Sequence, residues 1–100
     1  MSLWNAISLA LRAALVGRVD DQLACIAVEV SSGTVALHFL YGDKRDYHED
    51  LVEAIQDNVE NGLNFEALVP VDVTYGAAID EWEFAELPRL FLRYGVARTA

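Results

Sequence analysis

The chain opens on an apolar stripe at helical spacing. Leu3, Trp4, Ile7, Leu11, Ala14 and Leu15 recur on one face, while Asn5 and Arg12 fall away from it. This predicts a first helix over residues 3–16, stopped at Gly17. Leu9 and Val16 lie on its outer side, so a second covered face is open to it. After a short connection at Asp20-Asp21 the period drops to two. Ile26, Val28 and Val30 alternate with Cys25, Ala27 and Glu29; beyond Ser31-Ser32-Gly33, Val35, Leu37, Phe39 and Tyr41 alternate with Ala36, His38 and Leu40. Branched and aromatic residues around a glycine turn predict a β-hairpin.

The helical period returns between Asp46 and Asn61. Leu51, Val52, Ile55 and Val59 fall within an arc of roughly 100°, the width of a core-facing stripe. Asp46 is placed as the N-cap and Glu49, three residues on, completes a capping-box pattern. Further on, Leu68 to Tyr75 reads as a strand with Val69, Val71, Val73 and Tyr75 facing one way, and Pro70 points to an edge or early strand position. Glu81 to Phe84 alternates as a short strand. Arg89 to Val96 reads as a last strand, with Leu90, Leu92, Tyr94 and Val96 set against Arg89, Phe91 and Arg93. The order α-β-β-α-β-β-β predicts a single α+β domain over residues 1–100: an antiparallel or mixed sheet of about four to five strands carrying two helices.

Composition narrows the class. With 54% hydrophobic residues and only two prolines, the chain is neither disordered nor of low complexity. No apolar run approaches the roughly 20 residues that span a bilayer. A lone cysteine, Cys25, excludes an internal disulfide; with no secretory pattern at the start, the expected compartment is the cytoplasm.

Catalytic and metal chemistry find little footing. His38, His48 and Cys25 show no ligand spacing, so no metal and no cofactor is expected. Cys25 reads as a small buried hydrophobe rather than a nucleophile. No motif supplies a nucleophile, a base and an orienting group together, and the chain is expected not to be an enzyme.

Charge changes the picture most. The net charge is −9, and between Asp43 and Glu86 thirteen acids face only Lys44 and Arg45. Such a field repels nucleic acid and anionic membrane and attracts basic protein surfaces. On the second helix, Asp46, Glu49, Asp50, Glu53, Asp57 and Glu60 share an arc opposite the apolar stripe, at steps of four and three residues. Like charges at i,i+4 destabilise a helix by a few tenths of a kcal/mol per pair, and no base on the ridge relieves them. The expected use of the ridge is to bind a basic partner; a merely solvated acidic face is the simpler alternative. Tyr47 lies beside the ridge. Asp80, Glu81 and Glu83 surround Trp82, which fits either an interface anchor or the core side of a strand.

In these features the chain resembles the bacterial immunity proteins that neutralise polymorphic or contact-dependent growth-inhibition toxins. The resemblance is of type, and is carried by the hairpin IAVEVSSGTVALHFLYG, the acidic helix DYHEDLVEAIQDNVENG and the closing FLRYG. It implies tight binding to a cognate basic toxin domain, often a nuclease, with the acidic face covering the active site or an adjoining surface. Asp46, Tyr47, Glu49, Asp50, Glu53, Asp57 and Glu60, together with Asp80, Glu81, Trp82 and Glu83, are the expected partner-binding residues. Two other roles remain open: a structural or accessory subunit joined through the outer side of the first helix, and a small-ligand domain using His38, Tyr41 and Arg93.

Overall fold

A computed structural model describes residues 3–92. Helix α1 spans Leu3–Leu15, strands β1 and β2 span Leu23–Ser31 and Thr34–Tyr41, and helix α2 spans His48–Gly62. Strand β3 (Val71–Tyr75), a single 3-10 turn (Ile79–Glu81) and strand β4 (Arg89–Leu92) follow. The sheet has the order β3-β2-β1-β4. β1 is antiparallel to β2 and β4, whereas β3 runs parallel to β2. The parallel pairing follows from the connection: α2 carries the chain back across the sheet before β3 begins. The protein is thus an α+β domain with a four-stranded mixed sheet.

The hairpin forms as its sequence predicts. Ser31 pairs with Thr34, and Gly33 turns the chain at φ +73°, a conformation that suits a residue without Cβ. Both helices cover the same face of the sheet. Ile7, Leu11 and Ala14 of α1 and Val52, Ile55 and Val59 of α2 meet Ile26, Val28, Val35, Leu37, Phe39 and Tyr41 in one buried cluster. Full burial of Val52, Ile55 and Val59 contributes about 5–9 kcal/mol, which outweighs the few tenths of a kcal/mol lost per like-charge pair on the opposite side of α2.

The other face of the sheet is covered by the 3-10 turn and the irregular chain on either side of it. Residues 81–84, expected as a strand, instead leave the 3-10 turn through further turns. Trp82 and Phe84 fold under the sheet against Ala24, Cys25, Ala27 and Leu40. Their alternation reflects this packing and no strand pairing. Among the described residues no fifth strand forms, and the sheet has four. In β4 the expected alternation also breaks. Ile26 pairs with Phe91 but Ala27 with Arg89, so Leu90 is an extra residue, and Leu90 and Phe91 both reach the helix-side core. Residues 93–96 of the predicted strand, and Arg93 with them, lie outside the described residues.

Candidate partner-binding face

α2 begins one residue later than a cap at Asp46 would place it. Tyr47 takes the N-cap position in the helical region, with φ −85° and ψ −6°, and no side chain caps the helix. Asp46 lies in the preceding turn, so neither its capping box with Glu49 nor its helical pairing with Asp50 exists. The cause is His48. Its ring is fully buried and stacks on Tyr41 at a centroid distance of 3.9 Å. The Arg45 N–H donates to His48 Nδ1 at 3.2 Å, which assigns the proton to Nε2, and Nε2–H donates to Asp20 Oδ2 at 2.6 Å. A turn closed by the His48 N–H to the Arg45 carbonyl (3.1 Å) then leads into the helix.

Asp20 holds this corner together. Its Oδ1 accepts from the backbone N–H groups of Gln22 (3.1 Å) and Leu23 (3.0 Å), and its Oδ2 also accepts from the Tyr47 hydroxyl at 2.7 Å. Burial alone would raise the Asp20 carboxyl; the bonds from Tyr47, His48 and Gln22 outweigh it and hold its pKa below the ordinary value. The same carboxylate raises the Tyr47 phenol. Tyr41, fully buried beneath His48, has a hydroxyl with no hydrogen-bond partner among the described residues, and burial pushes its pKa far up.

From this corner the acidic ridge runs along α2. Asp46, Glu49, Asp50, Glu53, Asp57 and Glu60 are all exposed, and among the described residues none of them forms an ion pair. Asp46, Glu49, Glu53 and Asp57 form one wall of a groove of about 480 Å³ between α2 and β3. Its floor is apolar, made by Val52 of α2 and Val71, Val73 and Tyr75 of β3. Lys44 and Arg45 close one end; the Lys44 ammonium stands 5.9 Å from the centre of the Tyr75 ring. Gln56 fixes the helix to the strand entry by donating to the Val69 carbonyl at 2.7 Å. Glu60 lies beyond the groove, beside Asn61 and Leu63 in a second depression. The groove could not be foreseen from residue spacing, because β3 reaches α2 only through the parallel pairing.

The second acidic patch is built differently. Asp80, Glu81 and Glu83 are exposed, but Trp82 is a core residue, only 4% exposed, whose indole N–H donates to Thr74 Oγ1 at 3.3 Å. It cannot serve as a surface anchor while so packed.

No known family model matches the chain, and no curated protein matches it at a significant level.

One polar cluster was not anticipated from the sequence. His38 Nδ1 lies 2.8 Å from Asp72 Oδ2 and Nε2 3.0 Å from Glu29 Oε1, while Phe84 stacks on the ring at 3.7 Å. The imidazole thus ties β1, β2 and β3 together on the face opposite the helices. With these contacts and those of His48, every imidazole nitrogen is engaged, and neither ring has one free to activate Cys25. Burial pushes the Cys25 thiol up to about 11. Among the described residues no group of His, Cys, Asp and Glu could hold a metal ion, and no helix is long and apolar enough to cross a membrane.

Proposed function

We propose that the protein is an inhibitory binding module, an immunity protein whose α2 ridge engages a basic toxin domain. The observation that carries this reading is the state of the ridge. Six exposed carboxylates stand without a described ion pair, and four of them wall a groove with an apolar floor. A wet acidic face alone would steer a basic partner and raise its association rate by roughly 10–1000-fold at low salt. An adjoining apolar floor adds surface that can be dehydrated on contact, which steering alone does not supply. If the partner is a nuclease, the ridge would occupy the positive groove that otherwise holds phosphates.

The experiment is capture from the source cells at low and moderate salt, followed by an activity assay of the captured protein. The expected result is a basic toxin domain whose activity the chain abolishes in proportion. The triple variant Glu49→Lys, Glu53→Lys, Asp57→Lys should fold, associate at least tenfold more slowly and lose most of the salt dependence. Inhibition unchanged by those reversals would remove the ridge as the binding face.

A second reading has one observation in its favour. Leu9 on the outer side of α1 and Val16 just past its end are 55% and 75% exposed, as an accessory subunit joined through that helix would require. A mass above that of one chain in solution, lost in Leu9→Glu, would support it.

A further inference from the structure

The outer edge of β3 adds a second kind of valence to the acidic face. β3 ends the sheet, with β2 on one side and no described strand on the other. The Leu37 N–H donates to the Pro70 carbonyl, and the Gly76 N–H donates to the Tyr41 carbonyl. In a parallel ladder alternate residues turn both backbone groups to the same neighbour, so 70, 72, 74 and 76 face β2. Val71, Val73 and Tyr75 therefore turn their N–H and C=O groups outward, along the groove whose floor their side chains form. A strand laid there would sit about 4.8 Å from β3 and extend the sheet. On the helix side its alternate side chains would meet Glu49, Glu53 and Asp57.

We infer that the groove binds its partner by strand addition: an extended basic segment of the partner pairs with the β3 edge and sets lysines or arginines against the α2 carboxylates. Backbone bonds give this mode its affinity, and the pockets for alternate side chains give it specificity. Charge complementarity selects the occupant. A second copy of this chain would bring a second acidic wall against the first, whereas a basic strand neutralises it. Lys44 and Arg45 at one end confine the preference for positive residues to the stretch alongside Glu49 to Asp57. The inference rests on the reading of α2 as the docking face and adds how the partner's main chain is held.

The test uses the full chain and a synthetic peptide of seven residues, lysine and threonine alternating, blocked at both ends. Two further peptides carry N-methyl groups on all lysines or on all threonines. In the free protein the amides of Val71, Val73 and Tyr75 should exchange faster than those of Asp72, Thr74 and Gly76. The unmodified peptide should slow exchange at those three, and one methylation pattern should weaken binding at least tenfold while the other spares it. Val73→Pro, which removes an outward N–H and leaves the β2 pairing intact, should have the same effect; the methylated peptides keep the test valid if that variant unfolds. Binding that is lost in Glu49→Lys/Glu53→Lys yet indifferent to both methylation patterns would overturn strand addition while leaving the acidic face as the docking surface. Absence of peptide binding, or a concentration-dependent dimer protected at the same three amides, would also overturn it. The docking face itself stands or falls separately, on the charge-reversal assay with the captured partner.

Discussion

His48 Nε2 lies 2.6 Å from Asp20 Oδ2, so the first residue of α2 is tied to the residue that leads into β1. Asp20 accepts from the N–H groups of Gln22, Leu23 and His48 and from the Tyr47 hydroxyl, and its side chain is only 13% exposed. Asp20→Ala leaves these donors without an acceptor, two of them backbone groups. The expected loss is about 3 kcal/mol, a fall in Tm of roughly 10–20 °C for a domain of this size. Thermal unfolding with a loss below 1 kcal/mol would show the corner to be held by packing instead.

The same carboxylate sets a pH dependence. Its folded pKa lies below its ordinary 3.8, so the unfolded chain binds this proton more readily than the folded one. Its contribution is present in full above that ordinary value and is lost as the pH falls through the lower folded value. Urea midpoints should therefore fall as the pH drops through and below the ordinary 3.8, and Asp20→Asn should flatten part of that fall.

The Tyr41 hydroxyl predicts a substitution that costs nothing. It is buried without a partner among the described residues, and such a group costs on the order of 1–3 kcal/mol. Tyr41→Phe keeps the ring stacked on His48 and removes the orphan. Denaturant unfolding should show stability unchanged or raised by about 1 kcal/mol; a loss of that size would mean that the hydroxyl has a partner in solution.

Trp82 is the main cover of the sheet face that lacks helices. Trp82→Ala should cost about 3–5 kcal/mol. It also uncovers the neighbourhood of Cys25, whose thiol is pushed up to about 11 in the intact protein. At pH 8 a thiol reagent should label the native protein only as fast as it unfolds, and the variant much faster. Equal labelling rates would place the cover elsewhere.

On the ridge, stability and binding should move in opposite directions. Glu53 stands four residues from both Glu49 and Asp57 in α2. Glu53→Lys turns two repulsions into attractions, for a gain of roughly 0.5–1 kcal/mol. A more stable variant that captures its partner less well is what a face kept acidic for association should yield. A variant that is less stable would show that Glu53 has a structural role.

Period carried the sequence a long way. The apolar stripes of α1 and α2 and the alternation of β1, β2 and β3 are local, and each found its element. The failures share one cause: partners distant in the chain. Asp46 lost the cap because Asp20 draws in His48 from 28 residues away. Trp82 and Phe84 alternate like a strand because they pack on Leu40 and His38, a tertiary demand that local pattern does not distinguish. His38 looked like an isolated strand residue because Asp72 and Glu29 reach it only through two strand registers. One of those was within reach: a tight turn at Ser32-Gly33 sets Ala27 opposite His38, which places Glu29 one step along the same face. Of the ridge, the exposure was legible and the groove was not, since its other wall arrives by a parallel crossover.

The edge of β3, on which no described strand pairs, would ordinarily be a hazard, since a row of free backbone groups is a template on which identical chains can stack. In this protein the acids of α2 stand guard over it. Two molecules approaching edge to edge must bring like-charged walls together, so the carboxylates that invite a basic strand also keep the molecule from its own copies. High salt removes that protection without touching a single core contact, and aggregation under those conditions would start at Val71 to Tyr75.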